Sequence, residues 1–168
     1  MALRPLLTQA FAVLETRFAY YDVDRAGKIS FQQLARRMAL SGFRDTQKLE
    51  QLFKAVDVDK SLALDFGEFI MLMFYAQPLD QIFRGAALQE IEAAWRSLEI
   101  AFSRSDVDGN KRLSGDELRS FLDLYLGKSF VNAPEVAAAC PAGSEIRFAD
   151  FMQLLYTLLM PTGRYVWE

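Results

Sequence analysis

The sequence predicts an all-α protein made of two pairs of helix–loop–helix units, each pair joined by a short loop-to-loop β pairing. Three observations carry this. Four loops begin at positions 22, 57, 106 and 139, and they fall into two pairs around a longer gap. Apolar residues on both sides of the loops recur at three- and four-residue spacing, as one face of a helix requires. Each loop carries an apolar residue at its eighth position (Ile29, Leu64, Leu113 and Ile146), where two loops can pair as extended chain.

In chain order, a first helix is expected from about Pro5 to Tyr21, with Phe11, Leu14, Phe18 and Tyr21 on one stripe. The loop Asp22–Gln33 leads into a helix bearing Phe31, Leu34, Ala35 and Met38, which Gly42 ends. Asp45 or Thr46 caps the next helix, whose stripe is Leu49, Leu52, Phe53 and Val56. After the loop Asp57–Glu68 comes a helix from Phe66 to Tyr75 that is apolar nearly all round. Such a helix is either buried on several sides or offers a surface to a partner.

Gln77-Pro78 breaks that helix and Gly85 loosens the chain beyond it, so the division falls at residues 1–77, a connector 78–87, and 88–168. A long helix from about Ala86 carries Leu88, Ile91, Trp95, Leu98 and Phe102 into the loop Asp106–Glu117. Leu118, Phe121, Leu122 and Tyr125 continue as a helix to Gly127. Asn132 and Pro134 start a short helix that Pro141 closes. Placing Ile146 at position 8 sets the last loop at Ala139–Asp150. A final helix with Phe148, Phe151, Met152, Leu155, Leu158 and Leu159 stops at Pro161. The aromatic tail Gly163–Glu168 is expected to dock on its own unit or on a partner.

The loops differ in chemistry. A hard cation such as Ca²⁺ takes oxygen ligands, which a short loop supplies from positions 1, 3, 5, 7, 9 and 12. Asp106, Asp108, Asn110, the Arg112 carbonyl, Ser114 and Glu117 fill those positions in the third loop. Asp57, Asp59, Ser61, the Ala63 carbonyl, Asp65 and Glu68 fill them in the second. Both loops depart at position 6, where the chain turns left-handed and Gly is wanted: Lys111 and Leu62 stand there. That costs about 1–2 kcal/mol, or roughly tenfold in affinity. A solvated acidic turn remains the plain alternative for the third loop. For the second, the alternative is a folded loop whose strained turn keeps its ligands apart. The first loop has Gly27 at position 6 but Ala26 and Gln33 at positions 5 and 12, so it reads as intact and nearly metal-dead. The last offers Ala139, Pro141 and Gly143 where ligands belong and reads as a pairing partner only.

On these loops, flanking stripes and spacings, residues 8–160 resemble the calmodulin and troponin C superfamily of four-EF-hand proteins. The resemblance implies that calcium opens each helix pair and exposes a groove that grips a target helix. The chain departs in having two loops without ligands and no position-6 glycine in the other two. It also has fourteen Phe against six Met, which makes for a stiffer groove.

Composition bounds the alternatives. The absence of His removes the commonest acid/base and zinc ligand. The net charge of −3 argues against nucleic acid, and residues 1–80 are neutral, so recognition is expected to be apolar. The single Cys140 allows no internal disulfide and reads as a packed side chain. The opening residues predict no secretory leader, Ala2 no myristoylation, and the apolar run Phe69–Ala76 no membrane insertion. A soluble cytoplasmic protein is expected, cytoskeleton-associated or flagellar in one reading.

The expected function is a non-enzymatic sensor or adaptor that binds one or two Ca²⁺ and an amphipathic or apolar helix of a larger protein. The alternative is a structural EF-hand subunit of a cytoskeletal or axonemal assembly with little or no calcium regulation. Tight buffering wants more well-formed loops. No base, nucleophile or phosphate cradle accompanies Glu68 and Glu117.

Overall fold

A computed structural model describes residues 3–40, 44–57, 60–75 and 88–160. Among these, eight α-helices and two two-stranded antiparallel ladders alternate. The order is α1 (Leu3–Tyr21), β1 (Ile29–Ser30), α2 (Phe31–Leu40), α3 (Thr46–Val56), β2 (Ala63–Leu64) and α4 (Phe66–Tyr75). Then come α5 (Leu88–Ser105), β3 (Arg112–Ser114), α6 (Gly115–Phe121), α7 (Pro134–Ala139), β4 (Glu145–Arg147) and α8 (Phe148–Leu159). The all-α class with loop-to-loop pairings is as the sequence predicts. No helix among the described residues is long and apolar enough to cross a membrane.

The residues form two compact units. One draws its described residues from 12–75 and 88–92, the other from 3–11 and 93–160. The division expected at residues 77 and 88 places all of α1 with the first loops; the contacts instead divide α1 after Phe11. The connector itself, the stop at Gly42 and the aromatic tail lie outside the described residues.

In the first unit, Ile29 pairs with Leu64 across β1 and β2, and both are fully buried. Phe18 meets Phe66 and Phe69 edge-on, with ring centroids 5.5 Å apart in each pair. Phe31 meets Phe53 at 5.6 Å. Edge-to-face pairs of this kind add about 0.5–1.5 kcal/mol beyond the area they bury. Asp45 caps α3 by accepting from the Lys48 N–H at 3.1 Å, as expected.

The apolar surface of α4 is not offered to solvent. Every residue from Phe66 to Met73 is buried within the chain, and only Tyr75 at the end stands out, 55% exposed. Of its two readings, burial on several sides is the one this helix takes.

In the second unit, Leu113 pairs with Ile146 across β3 and β4, again buried. Phe121 and Phe102 both pack on Phe151, at 4.9 and 5.4 Å. Two helix boundaries differ from expectation. α1 begins at Leu3, ahead of Pro5, because the first turn of a helix has no use for the N–H that proline lacks. After Phe121 the chain widens into a π-helical turn over Leu122–Leu126, closed by the Gly127 N–H on the Leu122 carbonyl at 2.8 Å. Gly127, at φ 120°, then ends the helix in a conformation that side chains disfavour.

Candidate metal centre

Position 12 does the same local work in three loops. Its side-chain oxygen accepts from the backbone N–H at position 9, which anchors the start of the exiting helix. Gln33 accepts from Ser30 N at 2.9 Å, Glu68 from Asp65 N at 3.1 Å, and Glu117 from Ser114 N at 2.8 Å. A neutral amide can do this, so Gln33 preserves the fold of its loop. It cannot supply two carboxylate oxygens to a metal.

In the loop Asp106–Glu117 the carboxylates of Asp106, Asp108 and Glu117 offer atoms all within 4.8 Å of one another. Among the described residues, the Oδ1 of Asp106 is buried and has no hydrogen-bond partner, while its Oδ2 accepts from Lys111 N at 2.8 Å. A buried carboxylate oxygen left bare is costly unless something cationic or donating meets it. The second oxygen of Glu117 accepts from Val107 N at 3.2 Å, which draws position 12 across the loop toward its start. Asn110 accepts from Arg112 N through Oδ1 and donates through Nδ2 to Glu145 at 2.9 Å.

Asp108 and Asp24 occupy position 3 of their loops, and they respond oppositely. For Asp24, the Ala26 N–H and then Gln33 stabilise the carboxylate and lower its pKa. For Asp108, the Asn110 N–H pulls the pKa down, but desolvation and the crowding by Asp106 and Glu117 outweigh it and raise it. Asp24 is thus satisfied by donors, and Asp108 sits in a surplus of negative charge that a cation relieves.

The backbone bears out the strain. Lys111 and Leu62 at position 6 adopt φ 64° and 66°, the region Gly27 occupies at φ 81°. Position 4 is left-handed too: Arg25 at φ 57°, Lys60 at 53° and Gly109 at 68°. Only the third loop has glycine there.

The second loop is closed more tightly on itself. Both oxygens of Asp57 accept backbone N–H groups, from Ser61 and Leu62. The Ser61 hydroxyl donates to the Ala63 carbonyl at 2.7 Å, which ties two expected ligands together. Asp65 and Glu68 cap one another, Asp65 accepting from Glu68 N at 2.8 Å. Asp59, expected at position 3, lies outside the described residues.

In the first loop, Asp22 accepts from Ala26 N at 3.1 Å and Gly27 N at 2.9 Å, so both its oxygens are engaged. In the last, Asp150 at position 12 pairs with Arg147 at 3.0 Å, and Ser144 closes the turn onto the Pro141 carbonyl. Neither arrangement presents a cation site. Cys140 is buried and its thiol donates to the Ser144 carbonyl at 3.5 Å.

The residue the sequence reading missed is Glu145. It stands at position 7 of a loop without ligands, so nothing in its own loop marked it. The signal was the pairing register: Leu113 opposite Ile146 sets Ser114 opposite Glu145, beside the third loop.

No family model matches the sequence. Curated relatives do. Troponin C, isoform 3, of Drosophila melanogaster is 32% identical over 106 residues, covering 62% of this chain and 63% of that protein. The 15 kDa calcium-binding protein of Hemicentrotus pulcherrimus is 26% identical over 149 residues, covering 84% and 90%. Calcium-dependent protein kinase 21 of Arabidopsis thaliana is 26% identical over 145 residues, covering 84% of this chain. The chain spans 20% to 25% of the length of three such kinases. In its paired loops, its reciprocal caps at positions 9 and 12, and its match to these relatives, the chain is similar to the EF-hand proteins of the calmodulin and troponin C superfamily.

Proposed function

We propose that the chain is a non-enzymatic calcium-binding sensor or adaptor that engages an amphipathic helix of a larger protein. The observation that carries its calcium-binding part is the bare, buried Oδ1 of Asp106 within the Asp106–Asp108–Glu117 cluster. Asp106, Asp108, Asn110, the Arg112 carbonyl, Ser114 and Glu117 would hold Ca²⁺ in the third loop, where hard oxygen donors suit that ion. Asp57, Asp59, Ser61, the Ala63 carbonyl, Asp65 and Glu68 would hold a second, weaker one, because their loop must first give up its internal hydrogen bonds. The names of the Hemicentrotus pulcherrimus calcium-binding protein and the Arabidopsis thaliana calcium-dependent kinase support the calcium reading. Calorimetric titration of metal-free protein tests it: one or two sites are expected, and loss of the tighter one in Glu117→Gln.

A second reading, a structural EF-hand subunit of a cytoskeletal or axonemal assembly, draws on a specific observation. Two loops are satisfied internally, and Leu62 and Lys111 strain the other two. Affinity capture from extract separates the readings. Partners lost in chelator support the sensor; partners kept in chelator, together with a flat calorimetric titration, support the structural subunit.

A further inference from the structure

The start of α1 is built like a target helix, and its own unit holds it. Leu3, Leu7, Ala10 and Phe11 are buried at three- and four-residue spacing, while Arg4, Pro5 and Gln9 face out. Phe11 meets Trp95 of α5 and Tyr156 of α8 edge-on, with ring centroids 6.5 and 5.4 Å apart. The guanidinium of Arg4 lies 4.9 Å from the centre of the Phe130 ring, in the turn between the two helix–loop–helix units. The segment therefore touches, within one compact unit, the helix entering the third loop, the helix leaving the last loop, and the turn between those loops. Apolar anchors at i, i+4 and i+7 or i+8 are how a helix lies in an apolar groove. Residues 3–11 contain no acidic side chain, and the −3 of the protein lies in residues 81–168.

We propose that residues 3–11 occupy the helix-binding surface formed by α5, α8 and Phe130, and that a partner helix of the same pattern competes for it. That pattern is a basic residue followed by apolar residues three and seven positions later, as Arg4, Leu7 and Phe11 stand here. This rests on the reading of the partner as an amphipathic helix and adds which surface it takes, which side chains it needs, and what it must displace. A binding surface already filled is weakened in apparent affinity by the fraction of molecules in which it is open.

The test uses the full chain and a fluorescent peptide of residues 1–12, followed by anisotropy with calcium and with chelator. In Leu7→Asp the tethered segment cannot seat, so the peptide is expected to bind at least about tenfold more tightly than to the wild-type chain. Arg4→Ala removes only an exposed contact that does not hold the core, and a gain of about two- to fivefold is expected. A peptide carrying Leu7→Asp itself is expected to bind neither chain. Equal peptide binding by wild type and a folded Leu7→Asp chain, or none by either, overturns the proposal. Should Leu7→Asp fail to fold by circular dichroism, an unchanged affinity in Arg4→Ala overturns it. No cellular partner enters this assay. Its failure therefore leaves calcium binding and partner capture standing, and their failure leaves the peptide result standing.

Discussion

The side-chain amide of Asn110 donates to the carboxylate of Glu145 at 2.9 Å, from the loop with the best ligand set to the loop with none. The bond fixes which way the amide faces: its NH₂ meets the carboxylate, so its oxygen is turned back into its own loop, onto Arg112 N. Groups behind a ligand that orient it commonly matter about tenfold or more to metal affinity. Glu145→Ala should weaken calcium binding at the third loop by about tenfold, at the lower end of that range because Asn110 is exposed. Glu145→Gln keeps an acceptor and should lose less. Calorimetry on both variants, with circular dichroism as the fold control, checks this; unchanged affinity in Glu145→Ala would show the bond to be incidental.

The left-handed turn gives a second prediction. Lys111 stands at φ 64° without the freedom that glycine has there. Lys111→Gly should tighten calcium binding by up to about tenfold, since relieving about 1–2 kcal/mol of strain favours the closed loop. Added flexibility in the unfolded chain offsets part of the gain in stability. A weaker affinity in this variant would mean that the loop binds in some other conformation.

The first loop should be convertible. Its turn is well formed at Gly27, its ladder is in register, and its position-12 side chain already reaches Ser30 N. What it lacks is oxygen at positions 5 and 12. Ala26→Asp with Gln33→Glu should add one calcium site to the calorimetric count, and neither change alone should. An unchanged count in the double variant would place the defect in the backbone, at Arg25 in its left-handed position 4.

The parts legible in the sequence were those set by periodic patterns. Stripes at helical spacing located the helices, and an apolar residue at position 8 of each loop fixed both ladders to the residue. The strain at Leu62 and Lys111 was legible because a turn imposes its conformation on whatever side chain stands there. What was not legible came from contacts distant in sequence. The pairing of Asn110 with Glu145 needs the register of two loops at once. The seating of Phe11 against Trp95 and Tyr156 needs three helices, and a stripe such as Phe11–Leu14–Phe18 does not say against what each part of it packs. The satisfied state of the second loop depends on the Ser61 hydroxyl choosing the Ala63 carbonyl, which a tally of ligand types cannot reveal.

α4 supplies the last prediction. Its composition alone invites a partner-binding reading, since Phe66 to Phe74 has almost no polar interruption. A surface helix used that way would keep its fold when an outward residue is cut back, and would lose only its partner. Here Leu72 is fully buried and Met71 nearly so, on faces that do not share the stripe of Phe66, Phe69 and Ile70. Deleting a buried Leu side chain removes its transfer energy and leaves a cavity, together about 2–5 kcal/mol. That is a large share of the roughly 5–15 kcal/mol by which a domain is stable. Leu72→Ala should therefore lower the urea midpoint markedly, without any partner present. Tyr75→Ala, at an exposed end, should move it within about 0.5 kcal/mol. Were Leu72→Ala to leave the midpoint unchanged, α4 would be a free surface after all, and the search for the partner site would return to it.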